Sequence, residues 1–158
     1  IGVEGADSNG MSSNGRVYIA YGRPEGFPFE TDLDADQSIV RIDGVSNLEF
    51  LGKAMTSLDF DGNGVDDIVV PGATGSIHVL FGHASRFVSG PVTDLDGQVA
   101  SIPAPAGQIA SLSSDFDFND DGLEDFGIWG PVGGDYYIVL GRSNALFSDS
   151  FEQQPSPP

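Results

Sequence analysis

The chain has 158 residues and no cysteine, which leaves neither a disulfide framework nor a thiolate metal site to hold a fold together. Six Lys plus Arg stand against 24 Asp plus Glu, and the formal charge of -18 excludes phosphate-rich partners, nucleic acid first among them, and disfavours anionic membrane surfaces. No apolar run approaches the roughly twenty residues of a spanning helix, and Gly at 22 and Pro at 10, with few helix-favouring runs, predict an all-β chain.

The first element, IGVEG (1–5), is an apolar run closed by a glycine. It starts at Ile1 with no charged-then-apolar leader, so the sequence reads as a processed or excised product whose export signal has been removed. GRVYIAYG (15–22) follows as a β-rich run between glycines, then DLDADQSIVRIDG (32–44) and LGKAMTSLDFDG (51–62). The same order then recurs: IVVPG (68–72), GSIHVLFG (75–82), DLDGQVASIPAPAG (94–107) and QIASLSSDFDFND (108–120). A third round begins with FGIWG (126–130) and GDYYIVLG (134–141) and ends in a tail without periodicity at 151–158.

Four strands per unit at a period of about sixty residues is the arithmetic of a β-propeller blade with long loops. Continuous apolar runs at 77–81 and 136–140 suit it, because strands inside a blade are covered on both faces. A β-sandwich gives similar strand spacing but leaves the repeat unexplained. The expected fold is an all-β partial propeller of about two and a half four-stranded blades. An incomplete blade covers 1–47, a full blade 48–107 and a second incomplete blade 108–150, with a Pro/Ser-rich tail or linker at 151–158. Propellers close with roughly four to eight blades, so the stretch reads as a piece of a larger ring or as a chain that assembles with others.

Between the first and second strands of the last two units lie two acidic loops. In LDFDGNGVDD (58–67), oxygen-bearing side chains fall at loop positions 1, 3, 5 and 9 as Asp59, Asp61, Asn63 and Asp67. Gly64 stands at position 6, and Val65 offers a backbone carbonyl at position 7. Aligned on its glycine, DFDFNDDGLED (115–125) repeats the pattern with Asp117, Asn119, Asp121, Leu123 and Asp125 around Gly122, leaving Asp115 and Asp120 on the solvent side or behind the ligands. A hard divalent ion such as Ca2+ takes six to eight oxygens at roughly 2.3–2.6 Å, which alternating carboxylates in a sharply turning loop can supply. Two calcium sites are therefore expected. Turn chemistry alone would also favour Asp, Asn and Gly, but it does not require the same oxygens at the same offsets twice. An EF-hand would need an acid at position 12, where this chain has Val70 and Ile128.

The blocks from LGKAMTSLDFDGNGVDD to HVLFG and from LSSDFDFNDDGLED to YYIVLG resemble the FG-GAP repeat of integrin α-chain propellers and their bacterial relatives. The resemblance implies a seven-bladed calcium-binding propeller, extracellular or on the cell surface, used for adhesion or ligand binding. The pattern departs at the GAP turn, which survives only as Pro71, Gly72, Ala73, Thr74 in one copy and Gly130, Pro131, Val132 in another.

The remaining candidates read as structural. Asp32, Asp34 and Asp36 alternate but lack the glycine and the ninth-position acid, so a solvated turn is expected. His78 and His83 are too few for a histidine zinc site and are read as packing residues. Trp129, Tyr136 and Tyr137 could stack on a sugar, but aromatics of a blade chiefly fill the space between blades. No catalytic constellation stands out. The functional expectation is a non-catalytic, calcium-stabilised extracellular adhesion module for a protein or glycan ligand. Its alternatives are a self-associating structural subunit and an accessory part of a polysaccharide-degrading enzyme. The acid excess suits a calcium-rich or saline medium.

Overall fold

The computed structural model describes residues 1–73, 75–95, 97–104, 109, 111–130 and 136–143. Among these there are eleven strands and no helix, arranged in three sheets. The tail at 151–158, Thr74, and the Pro131–Val132 part of the second GAP-like turn lie outside the described residues.

The first sheet contains β1 (Gly2–Val3), β2 (Arg16–Ala20), β3 (Ile39–Asp43) and β7 (Gly90–Pro91), in that spatial order. The second contains β4 (Thr56–Leu58), β5 (Asp67–Gly72), β6 (Ser76–Leu80) and β8 (Val99–Pro103), and the third β9 (Ser111–Phe116), β10 (Asp125–Trp129) and β11 (Tyr136–Val139). Neighbours pair antiparallel except β3 and β7, which run parallel. Sequence patterning missed β7: it is two residues long and contains Pro91, which lacks an N–H and is tolerated because the strand is an edge. Its partner is β3, so a strand from the segment read as the second unit completes the first sheet.

The second sheet is the middle layer. Successive strand residues point to opposite faces, and on β5 Val69 belongs to one apolar cluster and Val70 to another. Val70 and Leu80 meet Val17, Ile42 and Leu51 from the first sheet and its following loop. Val69, Ile77 and Val79 meet Phe126 and Ile128 of the third sheet, where the Phe60 and Phe126 rings lie 5.6 Å apart. Burial on both faces explains why β5 and β6 are continuous apolar runs rather than alternating ones.

The third sheet departs from expectation at its aromatics. Trp129, Tyr136 and Tyr137 were expected to fill space between sheets, yet all three are exposed. Among the described residues no sheet covers the far side of β11.

Candidate metal centre

Both acidic loops connect the first strand of a sheet to its second, β4 to β5 and β9 to β10. In the first, Asp59 turns the chain by accepting hydrogen bonds from the backbone N–H groups of Asn63 and Gly64, each at 2.9 Å. Asp61 Oδ1 accepts from the same Asn63 N–H at 3.1 Å, and Asn63 Oδ1 accepts from the N–H of Val65 at 2.8 Å. Gly64 has φ 83°, a left-handed conformation that a side chain would strain, and Gly122 in the second loop has φ 86°.

Asp67, at position 9, does something the spacing did not announce. Its Oδ2 accepts from the N–H of Phe60 at 3.0 Å and its Oδ1 from the N–H of Gly82 at 2.7 Å, the glycine that follows β6. One carboxylate thus fastens the loop to the end of the third strand. Asp61 and Asp67 are 4% and 0% exposed, and carboxylate oxygens of Asp59, Asp61 and Asp67 lie within 4.8 Å of one another. Burial, with the charge of Asp61 adding to it, pushes the Asp67 carboxyl up to about 7 against the pull of the Gly82 and Phe60 N–H groups.

The second loop repeats the bonds made by positions 1, 5 and 9 of the first. Asp117 accepts from the N–H groups of Asp121 and Gly122, and Asp121 from that of Leu123. Asp125 accepts from Phe118 N–H at 2.6 Å and Gly141 N–H at 2.7 Å. It does not repeat the carboxylate cluster: among the described residues, Asp59, Asp61 and Asp67 are the one such group. The cause is an exchange of acid and amide between positions 3 and 5. Asp121 takes the place of Asn63, with one oxygen on the Leu123 N–H and the other on the Asn119 amide. Asn119 then stands where Asp61 completes the first triad. Asp115 and Asp120 are exposed, both with positive φ, as their solvent-side reading requires.

The first loop presents three carboxylates and an amide oxygen within one turn, with no nitrogen or sulfur ligand. Each carboxylate oxygen that accepts one N–H retains a further lone pair. Such a donor set fits a hard divalent cation and would suit soft metals poorly.

Elsewhere, Asp32 and Asp36 cap their own turns, accepting from Asp34 and Ala35 and from Ser38. Asp34 accepts from Arg16 and the Tyr18 hydroxyl. This is the solvated turn expected of them. His83 is exposed, whereas His78 is buried in a network that the sequence did not disclose. Its Nε2 lies 3.2 Å from Glu49 Oε1 and its Nδ1 2.9 Å from Ser101 Oγ. Glu49, fully buried, also accepts from the N–H groups of Val45 and Ser46, tying the loop after β3 to the middle sheet. Burial alone would push its carboxyl up, but hydrogen bonds from His78, Val45 and Ser46 together outweigh burial and hold it below the ordinary value. Glu49→Gln is therefore expected to lower stability by about 2 kcal/mol, since charged acceptors of buried donors are worth more than neutral ones. Urea denaturation of the variant checks this, and an unchanged midpoint would refute it.

No family model matches the chain. A stretch of 92 residues is 34% identical to phosphatidylinositol-glycan-specific phospholipase D of Homo sapiens. The match spans 52% of this chain and 11% of that protein.

Proposed function

We propose that the chain is a piece of an FG-GAP-type β-propeller that binds calcium in its acidic loops and serves outside the cell as a non-catalytic adhesion or ligand-binding module. The observation that carries this reading is the gathering of Asp59, Asp61 and buried Asp67 at the mouth of β5. Three like charges so close are self-repelling, and a bound dication converts that repulsion into attraction. The repeated loop, the three stacked β-sheets and the likeness to part of a phospholipase D are consistent with it. That likeness covers too little of the relative to bring its lipid-cleaving activity here.

Calcium in this reading is structural. At a hundredfold excess over Kd, one site adds about 2.7 kcal/mol, which for a chain of this size raises Tm by about 5–10 °C. The measurement is a thermal melt with 5 mM calcium against excess chelator. Coincident curves would end the proposal.

A second reading, self-association, is favoured by the outer side of the third sheet. In the alignment of β6 with β11, Ile77 and Val79 correspond to Tyr136 and Ile138, and Phe60 corresponds to Phe118. Ile77, Val79 and Phe60 are essentially inaccessible, whereas Tyr136, Ile138 and Phe118 are 66%, 40% and 67% exposed. A second copy would cover this face as the third sheet covers the second. Sedimentation velocity should then show oligomers that Phe118→Asp dissolves. A monomer at all concentrations would remove this reading.

A further inference from the structure

We infer that the two acidic loops are interlocked, so that order in one is transmitted to the other through Glu124. The binding half of this inference rests on the cation reading above. Asp59, the first residue of the first turn, donates its backbone N–H to Glu124 Oε2 of the second loop at 2.8 Å. Glu124 directly precedes Asp125, the buried acid that fastens the second loop to Gly141. A second path runs through the backbone. Asp125 holds the N–H of Gly141, the next N–H, that of Arg142, donates to the carbonyl of Phe60 at 3.0 Å, and the N–H of Phe60 is held by Asp67. The two position-9 acids are thereby joined by three hydrogen bonds and the short stretches of backbone between them.

Packing closes the same contact. A Cβ built on Gly62 would lie 2.6 Å from Leu123 Cδ2, so the tip of the second loop seats directly on the backbone of the first. Gly62 also has φ 71°, which suits glycine at that seat. The arrangement is directional. Val65 and Asp66, the counterparts of Leu123 and Glu124, are exposed. When the second loop is ordered, Glu124 fixes the peptide that aims Asp59; when it is loose, Asp59 loses that anchor. By reciprocity, a cation in either loop favours the other.

The test uses the full chain, Asp117→Asn/Asp121→Asn to loosen the second loop, Glu124→Ala to cut the link, Glu124→Gln as the isosteric control, and the combination of link and loop changes. Without cation, amide exchange at Asn63, Gly64 and Val65 should speed up about tenfold in the loop variant. Calcium calorimetry should show about five- to tenfold weaker binding to the first loop. In the Glu124→Ala background the loop substitutions should add a smaller effect on both readouts than in the native chain, the remainder passing through Arg142 and Leu123, whereas Glu124→Gln should retain more of the coupling. First-loop exchange and affinity indifferent to the second loop, in folded variants, would overturn the inference while leaving the cation reading intact. Coupled exchange with no calcium heat would do the reverse, upholding the interlock and ending the cation reading.

Discussion

Asp67→Ala is expected to lower stability by about 3 kcal/mol at neutral pH without added cation, the largest single-residue effect in the acidic loops. The substitution leaves the N–H groups of Phe60 and Gly82 without their acceptor in a site that water does not reach. Hydrogen bonds to a charged acceptor are worth about 1.5–3 kcal/mol each. Part of that loss is returned, because a buried carboxylate pushed up to about 7 is itself unfavourable when ionised. For a chain of this length the net loss corresponds to a fall in Tm of about 6–12 °C. Asp125→Ala is expected to behave alike, since Asp125 holds Phe118 and Gly141 by the same pair of bonds. The informative contrast is Asp59→Ala. Its partners, the N–H groups of Asn63 and Gly64, lie on an exposed turn and can turn to water. Denaturant titration in chelator should rank Asp67→Ala far below Asp59→Ala in stability. Equal losses would mean that Asp67 is only another turn residue.

That contrast also separates what was legible in the sequence from what was not. Local patterns were legible: glycine-bounded apolar runs marked β2, β6 and β11, and the offsets of Asp59, Asn63 and Gly64 announced a turn that the structure builds through those same side chains. Spacing singles out Asp67 and Asp125, but their attachment to Gly82 and Gly141 joins residues more than a dozen apart. A repeat displays such a link only as two coincident residues, without a reason for either. The Glu49–His78–Ser101 network had no signal at all. Its members occur once, on different strands and loops, and no periodicity connects them. The exposure of the β11 aromatics was not legible for a related reason. Composition says that an aromatic strand wants cover, and only the layering of the sheets says whether cover is present.

The second large effect is a pH dependence that the proposed cation would modulate. The Asp67 carboxyl has an ordinary value of 3.8 and is pushed up to about 7 in the folded chain, burial first and the neighbouring Asp61 charge second. Between those values the folded state holds a proton that the unfolded state has released, so raising the pH removes stability. The contribution is fully present below 3.8 and is lost as pH rises through about 7, and its full amplitude is up to about 4 kcal/mol. Without cation, the protein should therefore be more stable at pH 5 than at pH 8. The net charge of -18 pushes in the same direction, because acid also relieves general self-repulsion. Asp67→Asn separates the two, since it removes this titration while changing the net charge by one unit, and its stability should vary less with pH. Calcium bound as proposed would oppose that slope, because cation and proton would compete for the same oxygens. The gain in Tm from 5 mM calcium should be small at pH 5 and largest near pH 8 in the native chain, and nearly independent of pH in Asp67→Asn. Melts across that range with calcium or chelator test the linkage, and parallel slopes in the two proteins would place the pH dependence outside Asp67.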